Sequence, residues 1–144
     1  MAYLYNLSWI ADDEYRHIIA DDLSEASTCY KVRAFKAVNI LLGSAIEAAL
    51  LYAVQQAHIK IPSFVTLNQL LQLARENKLL NKSNIYFGHA LRECRNLVHP
   101  SKCLSEGYKV DKKKADLLFQ ICSQILQELQ KNIGVRQLDS ERKK

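Results

Sequence analysis

The sequence predicts an all-α fold, a single-domain bundle of about five helices, and three observations carry that expectation. Apolar residues recur at steps of three and four through most of the 144 residues. Only four Gly and two Pro are present, too few for the turns of a β-sandwich or barrel. No segment alternates apolar and polar residues as a half-buried strand would. Hydrophobic residues at 49% and charged residues at 24% exclude a disordered chain and a coiled-coil rod. A chain of this length buries about two-thirds of its unfolded surface, so it needs no disulfide or metal to hold a core.

The elements follow in order. Tyr15, Ile19, Leu23, Ala26 and Tyr30 form the stripe of a first helix. Its start lies between Ser8 and Asp13, where Ser and Asp cap free amides and acids suit the helix dipole. A second stripe runs Phe35, Val38, Leu42, Ala45, Ala49, Ala53. The phase slips between Tyr30 and Phe35, which predicts a tight turn or kink there without Gly or Pro. Pro62 is expected to stop the second helix. A third, shorter helix spans 66–78, carrying Leu67, Leu70, Leu71 and Ala74. Residues 81–84 form a polar turn with Ser83 as the expected cap, and a fourth helix runs to about Val98 on the stripe Phe87, Leu91, Cys94, Val98. Residues 101–110 read as a loop containing Gly107. The last helix follows Asp111, with Ala115, Leu118, Ile121, Cys122, Ile125, Leu126 and Leu129 on its apolar face. Gly134 is placed to end it. The domain therefore reads as 1–134, and 135–144 as a polar, frayed tail.

The second helix is apolar on two sides. Val38, Leu42, Ala45 and Ala49 share one face; Ile40, Gly43, Glu47, Leu51 and Val54 share the opposite one. In a bundle of this size the second side is expected to be a dimer interface, with Gly43-Ser44 allowing a close helix approach. Glu47 among apolar neighbours needs a cation or donor, for which the arginines of the fourth helix are candidates; otherwise it lies partly exposed at a groove edge.

Lys plus Arg is 20 and Asp plus Glu is 15, so the net charge of +5 permits a polyanionic partner. The opening Met1 to Asn6 has no basic leader before an apolar stretch, so it is not a secretory signal. The longest apolar run, 40–54, carries Glu47 and is too short to cross a bilayer. No membrane role is expected. The cysteines Cys29, Cys94, Cys103 and Cys122 make no CxxC pair, which fits reduced thiols in a cytoplasmic protein. A zinc site would need Cys94, His99, Cys103 and His89, whose spacing matches no structural zinc motif, so no metal is expected. Asp12-Asp13 and Asp21-Asp22 read as a capping segment and a wet face rather than a magnesium site. No Walker loop, dinucleotide fingerprint or nucleophile elbow is present, and no cofactor is expected.

The chemistry-bearing stretch is Leu91-Arg92-Glu93-Cys94-Arg95-Asn96-Leu97-Val98-His99-Pro100. Arg92, Arg95 and His99 fall at i, i+3 and i+7 on one face, with Asn96 beside them. This face lies about 100° from the core stripe, at a groove edge. Pro100 disfavours helical geometry for His99, which therefore closes the helix. A helix carboxyl end favours imidazolium and two neighbouring arginines disfavour it, so His99 is expected to titrate near neutral pH. An imidazole beside two fixed cations suits phosphate chemistry: one group moves a proton and the others hold the growing negative charge. The plainer reading is a helix end whose basic residues satisfy the last carbonyls. Lys109, Lys112, Lys113 and Lys114, with Lys102, either guide an RNA backbone towards His99 or form a solvated lysine face. Tyr86 and Tyr108 are aromatics able to stack bases, while Phe87 reads as core.

At these residues the sequence resembles the HEPN superfamily of small α-helical proteins. One place is Leu41-Leu42-Gly43-Ser44-Ala45-Ile46-Glu47, similar to the small-residue and acidic segment of that family's second long helix. The other is Arg95-Asn96-Leu97-Val98-His99-Pro100, similar to its Arg-Asn…His signature, and the helix order is similar over 14–131. The resemblance implies a homodimeric or heterodimeric bundle, and many relatives are metal-independent ribonucleases, often toxins or antiphage factors. It implies that His99 acts as general base or acid, that Arg95 stabilises the phosphorane-like charge, that Asn96 orients one of them, and that Glu47 positions Arg95 or Arg92. The family pattern is usually an arginine, four to six residues, then the histidine. Here three residues separate Arg95 from His99, while six separate Arg92 from it and no Asn follows Arg92. Some relatives bind nucleotides or partner proteins, including nucleotidyltransferase antitoxins, without cutting RNA. A non-catalytic dimerisation or partner-binding module is the competing expectation.

Overall fold

Asp12 accepts a hydrogen bond from the backbone N–H of Tyr15 and opens α1 (Asp13–Lys31). This is the first element in a computed structural model that describes residues 5–106 and 109–144. The rest are α2 (Phe35–Gln56), α3 (Leu67–Glu76), α4 (Lys82–Arg95), a 3-10 turn (Asn96–Val98), α5 (Pro100–Glu106) and α6 (Lys112–Arg142). Every regular element among the described residues is helical. Gly107 and Tyr108 lie outside the described residues, as do residues 1–4.

α2 is the axis of the bundle. It packs most extensively on α1, then on α6, α4 and α3. Val38, Leu42, Ile46, Ala49, Leu50 and Ala53 have no exposed surface, while on the opposite side Gly43 and Val54 are buried and Ile40, Glu47 and Leu51 stay partly exposed. By length and composition the 22-residue α2 is long enough to cross a membrane, unlike the shorter run read from sequence, but 61% of its most apolar window is buried by its neighbours. Asn39 is the polar exception in this core: it is fully buried, and neither atom of its amide has a partner.

Three helices end alike, without glycine. After α1, Arg33 N–H donates to Tyr30 O at 3.0 Å and Ala34 N–H to Cys29 O at 2.8 Å, with Arg33 at φ 62°. The same pair of bonds closes α2 around His58 at φ 57° and α3 around Lys78 at φ 56°. These are Schellman ends, in which the left-handed residue usually is Gly. The first supplies the expected turn between Tyr30 and Phe35. The second stops α2 at Gln56, so the helix ends six residues before Pro62 and on its own backbone bonds rather than on the proline.

Other boundaries also differ from the sequence reading. Asn81, not Ser83, caps α4 by accepting from Asn84 N–H at 2.8 Å. Thr66 and Gln69 form a capping box at α3, close to the expected start. The stretch expected as a loop from 101 onwards instead forms α5, because Pro100 fits the first helical position. α6 runs through Gly134 to Arg142, so residues 135–142 continue the helix. Gly134 meets no left-handed demand there, and a Cβ added to it would have nothing within 4 Å. The predicted α6 stripe is buried throughout, from Ala115 to Leu129.

Candidate functional site

The last turn of α4 carries Arg92 and Arg95. Opposite Arg95 on α2 stands Gly43: a Cβ there would lie 3.0 Å from Arg95 Cδ and 3.1 Å from Arg95 Cβ. The close approach expected of a partner helix at Gly43 is made instead by the stem of Arg95 from the same chain. Its guanidinium then reaches one turn along α2, where Nη1 donates to Glu47 Oε2 in an ion pair. The side chains are 37% and 29% exposed, so water and solutes reach both. The carboxylate on α2 therefore has the cation that its apolar neighbours demand.

Beyond Arg95 the backbone tightens into the 3-10 turn, which shifts the phase of the stripe. Leu97 turns inward and Val98, expected in the core, is 50% exposed. His99 takes φ −85° and ψ 116°, the extended geometry imposed on a residue before proline. Its N–H donates to Asn96 O at 3.1 Å, and its carbonyl accepts from Lys102 and Cys103 at 3.1 and 3.2 Å. The backbone is thus held from both sides while the imidazole is exposed.

These side chains converge. Glu47, Arg92, Arg95, Asn96 and His99 line one groove of about 500 Å³. Its far wall is the start of α3, Val65 to Asn68, which the sequence reading did not place at the site. That wall is brought by tertiary packing and has no signature in local spacing. Outside the groove, Arg92 Nη1 pairs with Glu93 at 3.0 Å, and Lys102 Nζ pairs with the other oxygen of Glu93 at 2.5 Å. The hydrogen bond from Lys102 holds the Glu93 carboxyl below its ordinary value, helped by the charges of Lys102 and Arg92 and opposed by burial. Lys102 is therefore tied to the groove's edge through Glu93 and does not line it.

Lys112 and Lys113 are elsewhere. Lys112 sits 5.9 Å from the centroid of the Tyr30 ring and 3.4 Å from Asp116 Oδ2, in a separate cleft at the α1–α2 turn. Tyr30 Oη donates to Asp116 Oδ1 at 2.5 Å, which lowers the Asp116 pKa and raises that of Lys112, both first through hydrogen bonding with Tyr30. Lys113 is exposed on the first turn of α6 and lines no part of the groove. Tyr86 is 72% exposed and meets Phe87 edge-on, with ring centroids 6.1 Å apart. Of the first acidic pair, Asp12 is a cap and Asp13 the partner of Arg16; of the second, Asp21 is exposed as a wet face requires, but Asp22 has one buried carboxylate oxygen without a partner.

Cys29, Cys94, Cys103 and Cys122 form no disulfide. Burial pushes the Cys122 thiol far up, so it is inert core. Cys103 Sγ donates to Leu97 O at 2.9 Å. Among the described residues no three His, Cys, Asp or Glu side chains gather as a metal site. No protein-family model, curated protein or solved structure matches this chain.

The groove can hold an anion between two guanidiniums, with an imidazole at its mouth to exchange a proton. One carboxylate lies in the groove and already bonds one of those guanidiniums.

Proposed function

We propose that the chain is a HEPN-like, RNA-engaging protein that works as a metal-independent endoribonuclease of the toxin–antitoxin or antiphage kind. The observation that supports this reading is the common groove of Arg92, Arg95, Asn96 and His99. In the proposed step the ribose 2′-oxygen attacks the adjacent phosphorus, and the bond to the 5′-oxygen breaks. His99 takes the 2′-hydroxyl proton as general base. Arg92 and Arg95 hold the charge that builds on the non-bridging oxygens, and Asn96 orients the phosphate. The leaving 5′-oxygen needs a proton donor, and His99 is the sole imidazole lining the groove among the described residues. A homodimer in which two grooves face one another would supply the second imidazole. The products are a 2′,3′-cyclic phosphate and a 5′-hydroxyl.

A second reading has its own observation. Arg92 and Arg95 are each already paired with a carboxylate, as at a surface built for association rather than catalysis. In that reading the protein is a non-catalytic dimerisation or partner-binding module, with a nucleotidyltransferase antitoxin as the kind of partner expected. Incubation with mixed RNAs in excess EDTA separates the two. The nuclease reading expects cyclic-phosphate ends that vanish in His99→Ala while the melting temperature is unchanged. Wild type and mutant equally inert on all RNAs would leave the module. Sedimentation of the wild type reports whether the dimer forms.

A further inference from the structure

The α1–α2 turn carries a second cationic site that the groove does not explain. A cleft of about 300 Å³ has Tyr30, Phe35 and Phe119 among its lining, with Lys31, Arg33 and Lys112 about them. A wider depression of about 760 Å³ adjoins it through Arg33 and Phe35 and adds Lys36 and Lys109. Five cations and one carboxylate, Asp116, line the two together. Arg33 sits 5.4 Å above the Phe35 ring and Lys112 5.9 Å from the Tyr30 ring. A cation resting on an aromatic face beside an open apolar hollow is the furnishing of single-stranded nucleic-acid sites.

The turn that presents Arg33 is itself unusual. Arg33 occupies the left-handed position of a Schellman end, at φ 62°, where Gly is favoured and a side chain is strained by about 1 kcal/mol. His58 and Lys78 share that strain, so what sets Arg33 apart is the place of its guanidinium over the Phe35 ring.

The position of the cleft matters as much. Leu97 and Cys103 line the wider depression, while Asn96, Val98 and His99 line the Arg/His groove. The 3-10 turn and the start of α5 are therefore the partition between the two sites.

We propose that this cleft is a second contact for the RNA strand that occupies the groove, seating one unpaired base against Phe35 and Tyr30 with flanking phosphates on Arg33, Lys36 and Lys109. The inference rests on the reading of the groove as an RNA site and narrows its substrate class to single-stranded RNA longer than a mononucleotide. A duplex, whose bases are stacked and paired, does not fill it.

The test is fluorescence anisotropy of the full chain with a 5′-labelled 12-mer of oligo-uridine, with UMP, a hairpin duplex and poly-glutamate as competitors. Arg33→Gly should weaken 12-mer binding about fivefold or more while raising the melting temperature. Lys78→Gly, at the same backbone position on α3, should raise the melting temperature and leave binding unchanged. Lys36→Gln should lessen the log–log salt slope by about 0.7. The proposal is overturned if Arg33→Gly and Lys36→Gln bind the 12-mer as wild type does, if the duplex binds as tightly as the single strand, or if poly-glutamate displaces the 12-mer more effectively than UMP. Arg95→Ala reports on the groove separately. Loss of binding there with a silent Arg33→Gly removes the second contact alone; a silent Arg95→Ala with weakened Arg33→Gly removes the shared strand.

Discussion

The groove at the end of α4 and the cleft at the α1–α2 turn both concentrate cations, and they hold them differently. In the groove region each arginine meets a carboxylate: Arg95 meets Glu47, and Arg92 meets Glu93, which Lys102 shares. In the cleft Arg33 lies on an aromatic ring, and Lys112 divides itself between a ring and Asp116. A carboxylate fixes a guanidinium in direction but competes with any incoming anion. A ring face leaves the charge available and adds a surface for a flat, apolar group. The first arrangement suits a site that must aim at one phosphate; the second suits one that tolerates many bases.

Five substitutions break or sharpen that contrast. His99→Ala should reduce RNA cleavage by on the order of 10²–10⁴, the contribution of a general acid or base, whereas Lys112→Gln should change it less than tenfold. A cleavage gel in EDTA decides, and equal losses would erase the distinction. Next is the core beneath both regions: Asn39→Leu removes a buried amide without a partner and should stabilise the fold by about 1–2 kcal/mol in urea titration. Neither RNA affinity nor cleavage should follow it.

Glu47→Gln is the most direct probe of competition. The pair is part exposed, so stability should move by less than about 1 kcal/mol. Oligonucleotide affinity should rise a few-fold as Arg95 loses its resident anion, by anisotropy at constant salt. A fall would show that Glu47 aims Arg95 rather than competing for the phosphate.

The smallest effect is in the pH profile of the melting temperature. Glu93 and Asp116 are held below their ordinary values, so each stabilises the fold above about pH 4 and loses that contribution as pH drops through its folded value. Lys112 is raised, so its contribution is full below about pH 10 and fades as pH climbs through its folded value. Glu93→Gln should flatten the acid limb alone. Lys112→Gln should flatten the alkaline limb and part of the acid one. Identical profiles would mean that the two regions are not electrostatically separate.

Much of the groove was legible because it rests on local periodicity. The i, i+3, i+7 spacing put Arg92, Arg95 and His99 on one face, and the cost of an unpaired carboxylate on α2 named the fourth-helix arginines as partners for Glu47. Proline's effect on its neighbour also held, since His99 is extended. The same proline concealed α5, because a residue that ends one helix equally suits the start of another. The cleft was not legible. It depends on α1, α2 and α6 meeting, and on a left-handed turn written with Arg33 where a sequence reader looks for Gly. Gly43 was read for the right property, closeness, with the wrong neighbour, because spacing along one helix does not say which element arrives.

The partition of Leu97 and its neighbours has a thermodynamic corollary. Should a guest in one chamber shift this shared backbone, affinity in the other would change with it. By linkage the bias is mutual: whatever factor a guest on the Leu97 side applies to affinity on the His99 side is returned in equal measure.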